Sequence, residues 1–186
     1  MDVLAQEAGK YAEVWGIPDY HAYSHGEAWA PLFAEVTGCK AGESVIDLGC
    51  GTGRGGRALA ADHGVEVTYL DLVKVGELTP FIEQPLWRPI PGVWDYGLCC
   101  DVMEHLPPEY TMLAVHNMLE ACRRGLFLSI CFEDESFGQI VGEPLHLTVM
   151  PFSWWRDRLR ALGEVLEARD MSPNNRLKTG VFYVTR

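Results

Sequence analysis

The chain has 186 residues, 48% hydrophobic and 22% charged, which suits one folded domain with a full core and excludes a disordered polymer or a large multidomain machine. Its formal net charge of −11 opposes phosphate binding, which draws on Lys and Arg, so nucleic acid is disfavoured as a partner. No apolar stretch approaches the roughly 20 residues of a membrane span, and the acidic start, Asp2 to Glu7, lacks a secretory pattern, so the expected location is the cytoplasm with no membrane partner.

In chain order, residues 2–15 read as a helix, with Val3, Leu4, Ala8, Tyr11 and Val14 near one stripe. Gly16-Ile17-Pro18-Asp19 stops it, and a second helix is expected from about Gly26 to Val36. Gly38 and Gly42 bracket a turn before Ser44–Leu48, a short buried strand. A glycine cluster then leads into a helix at Arg57–His63, stopped by Gly64, and Val65–Leu70 is a second strand. Residues 72–92 are irregular and proline-rich, with one short strand candidate at Phe81-Ile82-Glu83.

Trp94–Cys100 is the next strand candidate. Glu109–Cys122 reads as a helix, with Arg123-Arg124-Gly125 as its C-terminal signal. Leu126–Cys131 is a continuous apolar run, as a strand covered on both faces should be. Glu133 to Pro151 is mostly loop. Phe152–Leu162 is helical, with Trp154, Trp155, Leu159 and Leu162 toward the core. Glu164–Ala168 and Val181–Thr185 form two strands joined by a turn containing Ser172-Pro173-Asn174-Asn175.

Six cysteines, at 39, 50, 99, 100, 122 and 131, form no Cys-x-x-Cys pair, and no histidine pair has zinc-finger spacing. They read as small buried hydrophobes in a reducing compartment, and no metal is expected. Arg156, Arg158 and Arg160, and the pair Arg123-Arg124, read as solvated helix faces and helix C-terminal charges.

The informative segment is Val45-Ile46-Asp47-Leu48-Gly49-Cys50-Gly51-Thr52-Gly53-Arg54, with three glycines between a strand and a helix. Glycine lets a ligand approach the backbone closely, and the following helix offers unpaired N–H groups. Two acids give it context: Asp47 just before the glycines, and Asp71 at the end of the second strand, 18 positions after Gly53 (71 minus 53). An acid there can accept both hydroxyls of a ribose. A Walker phosphate loop is excluded, since no Gly-Lys-Ser or Gly-Lys-Thr follows.

With Cys100-Asp101-Val102-Met103-Glu104-His105-Leu106-Pro107 and Leu145–Phe152 in the right order, this pattern resembles the class I S-adenosylmethionine (SAM)-dependent methyltransferases over about residues 24–186. The alternating elements predict an α/β, Rossmann-like, doubly wound fold: a mostly parallel sheet, helices on both faces, and a final antiparallel strand pair. A single domain, 1–186, is expected: a helical cap over 1–40, a cofactor-binding core over 41–132, and an acceptor-side section over 133–186. Only nine residues, 72–80, separate Asp71 from Phe81, too few for a helical crossover. The intervening helix is therefore expected to be short or lost, and the third strand is in question. This compactness is similar to that of small phage methyltransferases.

The resemblance implies roles. Asp47, Gly49, Cys50, Gly51 and Gly53 would hold the amino-acid end of SAM, Asp71 the ribose, and Leu72 the adenine. Asp101 would sit near the methionine portion, and Tyr23, His25 and Gly26 would close over the cofactor. No acid matches the family's contact to the adenine amino group, with Gln84 as a weaker substitute. His105 is the candidate general base or acceptor-orienting group, since its pKa lies near neutrality. Glu104 and His146 are weaker candidates, and His105 reads equally well as a polar residue before Pro107-Pro108. Trp15, Tyr20 and Tyr23 could form an aromatic lid.

The resemblance thus implies methyl transfer from SAM, leaving S-adenosylhomocysteine, to a small molecule or a protein side chain. Two alternatives stay open. One is a nucleic-acid base methyltransferase, although Leu106-Pro107-Pro108 lacks the polar residue of the Asp/Asn-Pro-Pro-Tyr tetrad and Cys100 lacks a Pro-Cys context. The other is a SAM-binding protein without transferase activity.

Overall fold

Caps and turn residues divide the chain. The computed structural model describes residues 2–171 and 178–186, so the expected turn at Ser172–Asn175 lies outside the described residues. Helix α1 (Val3–Val14) starts on Asp2, whose Oδ1 accepts from the Leu4 N–H at 3.1 Å, and a 3-10 turn follows at Pro18–His21. Helix α2 (His25–Thr37) starts on Ser24, whose hydroxyl accepts from the Glu27 N–H, and stops at Gly38. The α1 stripe differs from expectation. Glu7, Lys10 and Val14 are its buried residues, with Glu7 and Lys10 ion-paired at 2.7 Å, while Val3, Leu4, Ala8 and Tyr11 are half-buried. Lys10 also donates to the carbonyl of Pro144, so the cap is tied to the late loop.

Strand β1 (Ser44–Leu48), helix α3 (Arg54–His63) and strand β2 (Glu66–Asp71) follow. Strand β3 (Phe81–Glu83) pairs in parallel with β2, and residues 72–80 contain no helix. The third strand is therefore kept and only its crossover helix is lost. The rest of the chain forms β4 (Trp94–Cys100), α4 (Pro108–Glu120), β5 (Cys122–Cys131), α5 (Gly138–Val141), α6 (Phe152–Arg160), β6 (Glu164–Asp170) and β7 (Thr179–Thr185).

Arg123 and Arg124 are not a helix C-terminus: they lie inside β5. Cys122 already pairs with Trp94 of β4, and the exposed Arg124 reaches Glu43 and the Tyr96 hydroxyl, so partners across the sheet extend the strand backward.

The seven strands make one sheet in the order β3-β2-β1-β4-β5-β7-β6. All pairings are parallel except those of β7, which lies antiparallel between β5 and β6. Side-chain alternation along the strands feeds a core on each face. On one face, Ile46, Leu126, Leu128 and Ile130 meet Val115 and Met118 of α4 and Trp155 and Leu159 of α6. On the other, Val45, Leu98, Phe127 and Val181 meet Ala30 and Phe33 of α2 and Leu59 of α3. The cysteines follow the expectation in part: Cys99, Cys122 and Cys131 are buried, while Cys39, Cys50 and Cys100 are half-buried. Among the described residues, no helix is long and apolar enough to cross a membrane.

Trp155 is fully buried, and its Nε1 has no hydrogen-bond partner among the described residues. Trp155→Ala is expected to cost about 3–5 kcal/mol by urea denaturation. Trp155→Phe, which also removes the unpaired donor, should cost clearly less.

Candidate active site

The carboxyl ends of β2, β1 and β4 lie side by side, and the strand order reverses between β1 and β4. Ligands of open α/β sheets bind at such a switch point. The glycine loop crosses it. The Gly49 and Cys50 N–H groups donate to the Leu70 carbonyl at 2.8 and 3.1 Å, and the Gly51 N–H donates to Asp71 Oδ2 at 2.7 Å. Gly51 has φ 51°, and a Cβ there would lie 2.5 Å from the Trp15 ring. Both its backbone and its neighbour therefore require glycine.

Two acids anchor the loop. Asp47 is buried at the end of β1, and its Oδ2 accepts from the Gly56 N–H at 2.8 Å. Burial pushes its pKa up to about 7 against that bond, with the nearby Asp71 adding to the rise. Asp71 Oδ1 accepts from the Leu72 N–H at 2.6 Å, and burial raises its carboxyl above the ordinary range although three backbone N–H groups oppose the rise.

Two cavities open over this switch point. The smaller, about 90 Å³, is lined by Asp71, Leu72, Gln84, Pro85, Val102 and neighbours. The larger, about 580 Å³, lies between the N-terminal cap and the 133–137 loop. Trp15, Tyr20, Gly49, Asp101 and His105 line both. The larger one brings together Tyr23, His25, Gly26, Asp47, Gly49, Cys50, Gly51, Asp101, His105 and His146. Gly53 lies behind the loop, packed on Leu78 and Tyr69, and lines neither. Glu104 also lines neither and is fully buried.

Asp101, just after β4, has φ 60°, a left-handed conformation that costs a non-glycine residue energy but suits aspartate better than most. Its Oδ2 lies 3.4 Å from His25 Nε2, which ties α2 to the site. Next to it, Glu104 Oε1 accepts from the Cys131 N–H at 2.7 Å, while Oε2 is buried and meets no N–H or hydroxyl donor among the described residues. Burial, and then the Asp101 carboxyl through its charge and a hydrogen bond between the two, hold the Glu104 carboxyl well above its ordinary range.

His105 is buried, its Nδ1 lies 3.2 Å from the Leu145 carbonyl, and its ring meets His146 edge-on at 4.5 Å. Burial, reinforced by His146, lowers its pKa to about 3. Its imidazole is thus neutral across ordinary working pH and a weak base, far from the near-neutral pKa that suits a general base.

The aromatic residues of the cap assemble over the site. Trp15 packs on Tyr20 at 5.0 Å, and Tyr20 packs on Phe137 at 5.4 Å, joining the cap to the 133–137 loop. Tyr23, by contrast, is exposed and packs on His25. Sequence reasoning missed Tyr11, Cys131 and the segment Glu133–Phe137. Tyr11 packs edge-on against His105 at 5.9 Å, and only helical spacing from Trp15 hinted at it.

This fold, with its glycine loop after β1 and an acid ending β2, is that of the class I SAM-dependent methyltransferases. Among solved structures, it is similar to the 1,6-didemethyltoxoflavin-N1-methyltransferase of Burkholderia thailandensis, solved with 1,6-didemethyltoxoflavin and S-adenosylhomocysteine: TM-score 0.76, 17% identity, covering 96% of this chain and 87% of that one. It is also similar to the magnesium protoporphyrin IX methyltransferase of Synechocystis PCC 6803, solved with S-adenosylhomocysteine: TM-score 0.65, 18% identity, covering 96% and 94%. A third similar structure is the [4+2]-cyclase SpnF: TM-score 0.68, 16% identity, covering 86% and 81%. No family model and no curated protein matches the sequence. At these identities the likeness establishes the fold, and the cyclase illustrates that a fold does not decide a reaction.

Asp47 gives a pH signature. Its folded pKa of about 7 lies above the ordinary 3.8, so between these values the folded protein keeps a proton that the unfolded chain has released. Its contribution to stability is therefore present at low pH and is lost as pH rises through about 7. Asp47→Asn is expected to flatten this fall. The check is the urea midpoint at about pH 5 and about pH 8, whose difference should be smaller in the variant than in the wild type.

Proposed function

We propose that the chain is a SAM-dependent methyltransferase acting on a small-molecule acceptor. The observation that carries this reading is the pair of cavities meeting at Asp101 and His105, one beside the β2 acid and one beside the glycine loop. The residues fit the cofactor. Asp71 Oδ2 takes one backbone N–H and keeps acceptor capacity for a ribose hydroxyl. Leu72 and Val102 offer apolar contacts for an adenine, and Gln84 offers a polar group in place of an acid. Asp47, Gly49, Cys50, Gly51 and Asp101 would hold the amino-acid end, with His25 steadying Asp101. Gly53 would act only by starting α3 in its left-handed conformation.

When bound, SAM supplies a methyl group already activated on a sulfonium. What remains for the chain is to orient an acceptor and exclude water, and positioning can supply much of the rate. The lid of Trp15, Tyr20 and Phe137 suits the second task, with Tyr23, His25 and Gly26 at its edge.

The cavity wall favours a small neutral or cationic acceptor over nucleic acid. Asp19, Asp101, Glu133, Asp134 and Glu135 line the larger cavity, and among the described residues no Lys or Arg does. Such a wall repels a phosphate backbone. Both methyltransferases compared above carry small-molecule acceptors in their names.

Calorimetry with SAM and S-adenosylhomocysteine is expected to give micromolar binding. Asp71→Ala should weaken it at least tenfold, about 1.4 kcal/mol. Absence of binding to either ligand would overturn the proposal. Binding without transfer of a labelled methyl group to any fraction of a small-molecule extract would favour a non-transferring role.

A further inference from the structure

We propose that Glu104, His105 and His146 form a binding site for one divalent transition-metal cation in the wall of the larger cavity. The ligand-capable atoms of these three residues lie within 4.8 Å of one another, and Glu104 belongs to a second group of the same compactness with Asp101 and Cys131. Sequence spacing hides the site, because His146 follows His105 by 41 positions (146 minus 105). The fold closes that gap.

Three independent features make this a built site rather than a chance cluster. First, Glu104 is fully buried, one carboxylate oxygen is fixed on the Cys131 N–H, and the other meets no N–H or hydroxyl donor among the described residues, only the neighbouring Asp101 carboxyl. A buried carboxylate oxygen without a donor is costly unless a cation or a proton meets it. Second, each imidazole has its Nδ1 on a backbone carbonyl, His105 on Leu145 at 3.2 Å and His146 on Glu133 at 2.5 Å. A neutral ring that donates from Nδ1 presents Nε2 as a lone pair, and metal-binding histidines are oriented in this way.

Third, the segment carrying His146 is stitched to the turn carrying Glu104 and His105. The Leu147 and Thr148 N–H groups donate to the Glu104 carbonyl at 2.7 and 2.8 Å, and the Thr148 hydroxyl donates to the Leu106 carbonyl at 2.7 Å. Two imidazoles and a carboxylate suit Mn²⁺, Fe²⁺, Co²⁺ or Zn²⁺ better than Ca²⁺ or Mg²⁺. His105, His146, Asp101 and Cys131 all line the cavity, so the cation would keep an exchangeable position toward it.

The test uses the full chain, stripped with a chelator and titrated with Co²⁺ and, separately, Mn²⁺, with no SAM present. Wild type is expected to take up one Co²⁺ per chain with a visible ligand-field band. Glu104→Gln and His146→Ala should each weaken uptake at least tenfold, while His116→Ala, on the exposed side of α4, should not change it. Bound Mn²⁺ should speed water-proton relaxation, as an open coordination position requires.

Circular dichroism of each variant separates loss of ligands from loss of fold. Stoichiometric uptake below one, or equal uptake by wild type and both ligand variants, would overturn the proposal and leave a proton shared by Glu104 and Asp101. Unenhanced relaxation on bound Mn²⁺ would overturn the open position. Because SAM binding is measured without added metal, failure here is distinguishable from failure of the proposed function.

Discussion

The carboxylate of Asp71 joins the parts of this molecule that its site depends on. One oxygen accepts from the Gly51 N–H in the loop after β1, and the other accepts from the Leu72 N–H just past β2. Two neighbouring strand ends are thereby locked to one another, and the glycine loop is held open toward the switch point. Asp47 secures the same loop from the other side by accepting from the Gly56 N–H at the start of α3. Asp47 is buried and Asp71 half-buried, so desolvation raises both carboxyls above their ordinary range, and backbone N–H groups offset part of that cost. An arrangement with this cost is retained most readily where a ligand uses it.

Around that lock the chain adds a roof in two pieces that are far apart in sequence. The cap contributes Trp15 and Tyr20, and the segment after β5 contributes Phe137 and His146. The pieces touch each other through Tyr20 and Phe137 and through Lys10 and the Pro144 carbonyl. The result is a site enclosed by aromatic rings above and acidic groups at its wall. Under the proposed function this combination suits a small acceptor, and its acidic wall is in keeping with the net charge of −11.

Much of the fold was legible because its signals are local. The glycine loop, the two acids and the apolar run of β5 each announce their element within a few residues. What was illegible depends on partners distant in sequence. Arg123 and Arg124 read as a helix end, yet pairing of Cys122 with Trp94 draws them into β5. The stripe of α1 read as apolar, yet of its residues only Val14 is buried, alongside the Glu7–Lys10 pair, to which the late loop offers a carbonyl. His105 read equally as a base of near-neutral pKa or as a polar residue before Pro107-Pro108, and only packing by Tyr11, His146 and the Leu145 carbonyl reveals a buried, neutral ring. The expectation of no metal rested on spacing along the chain, whereas the site proposed above at residues 104, 105 and 146 draws together groups that only the fold makes neighbours.

The most direct measurement is a crystal structure of the chain grown with S-adenosylhomocysteine. The ribose is expected on Asp71, the adenine beside Leu72 and Val102, and the amino-acid end along Gly49 to Gly51 under Trp15. A ligand bound elsewhere, or a saturated crystal with this switch point filled only by the protein's own side chains, would contradict this placement.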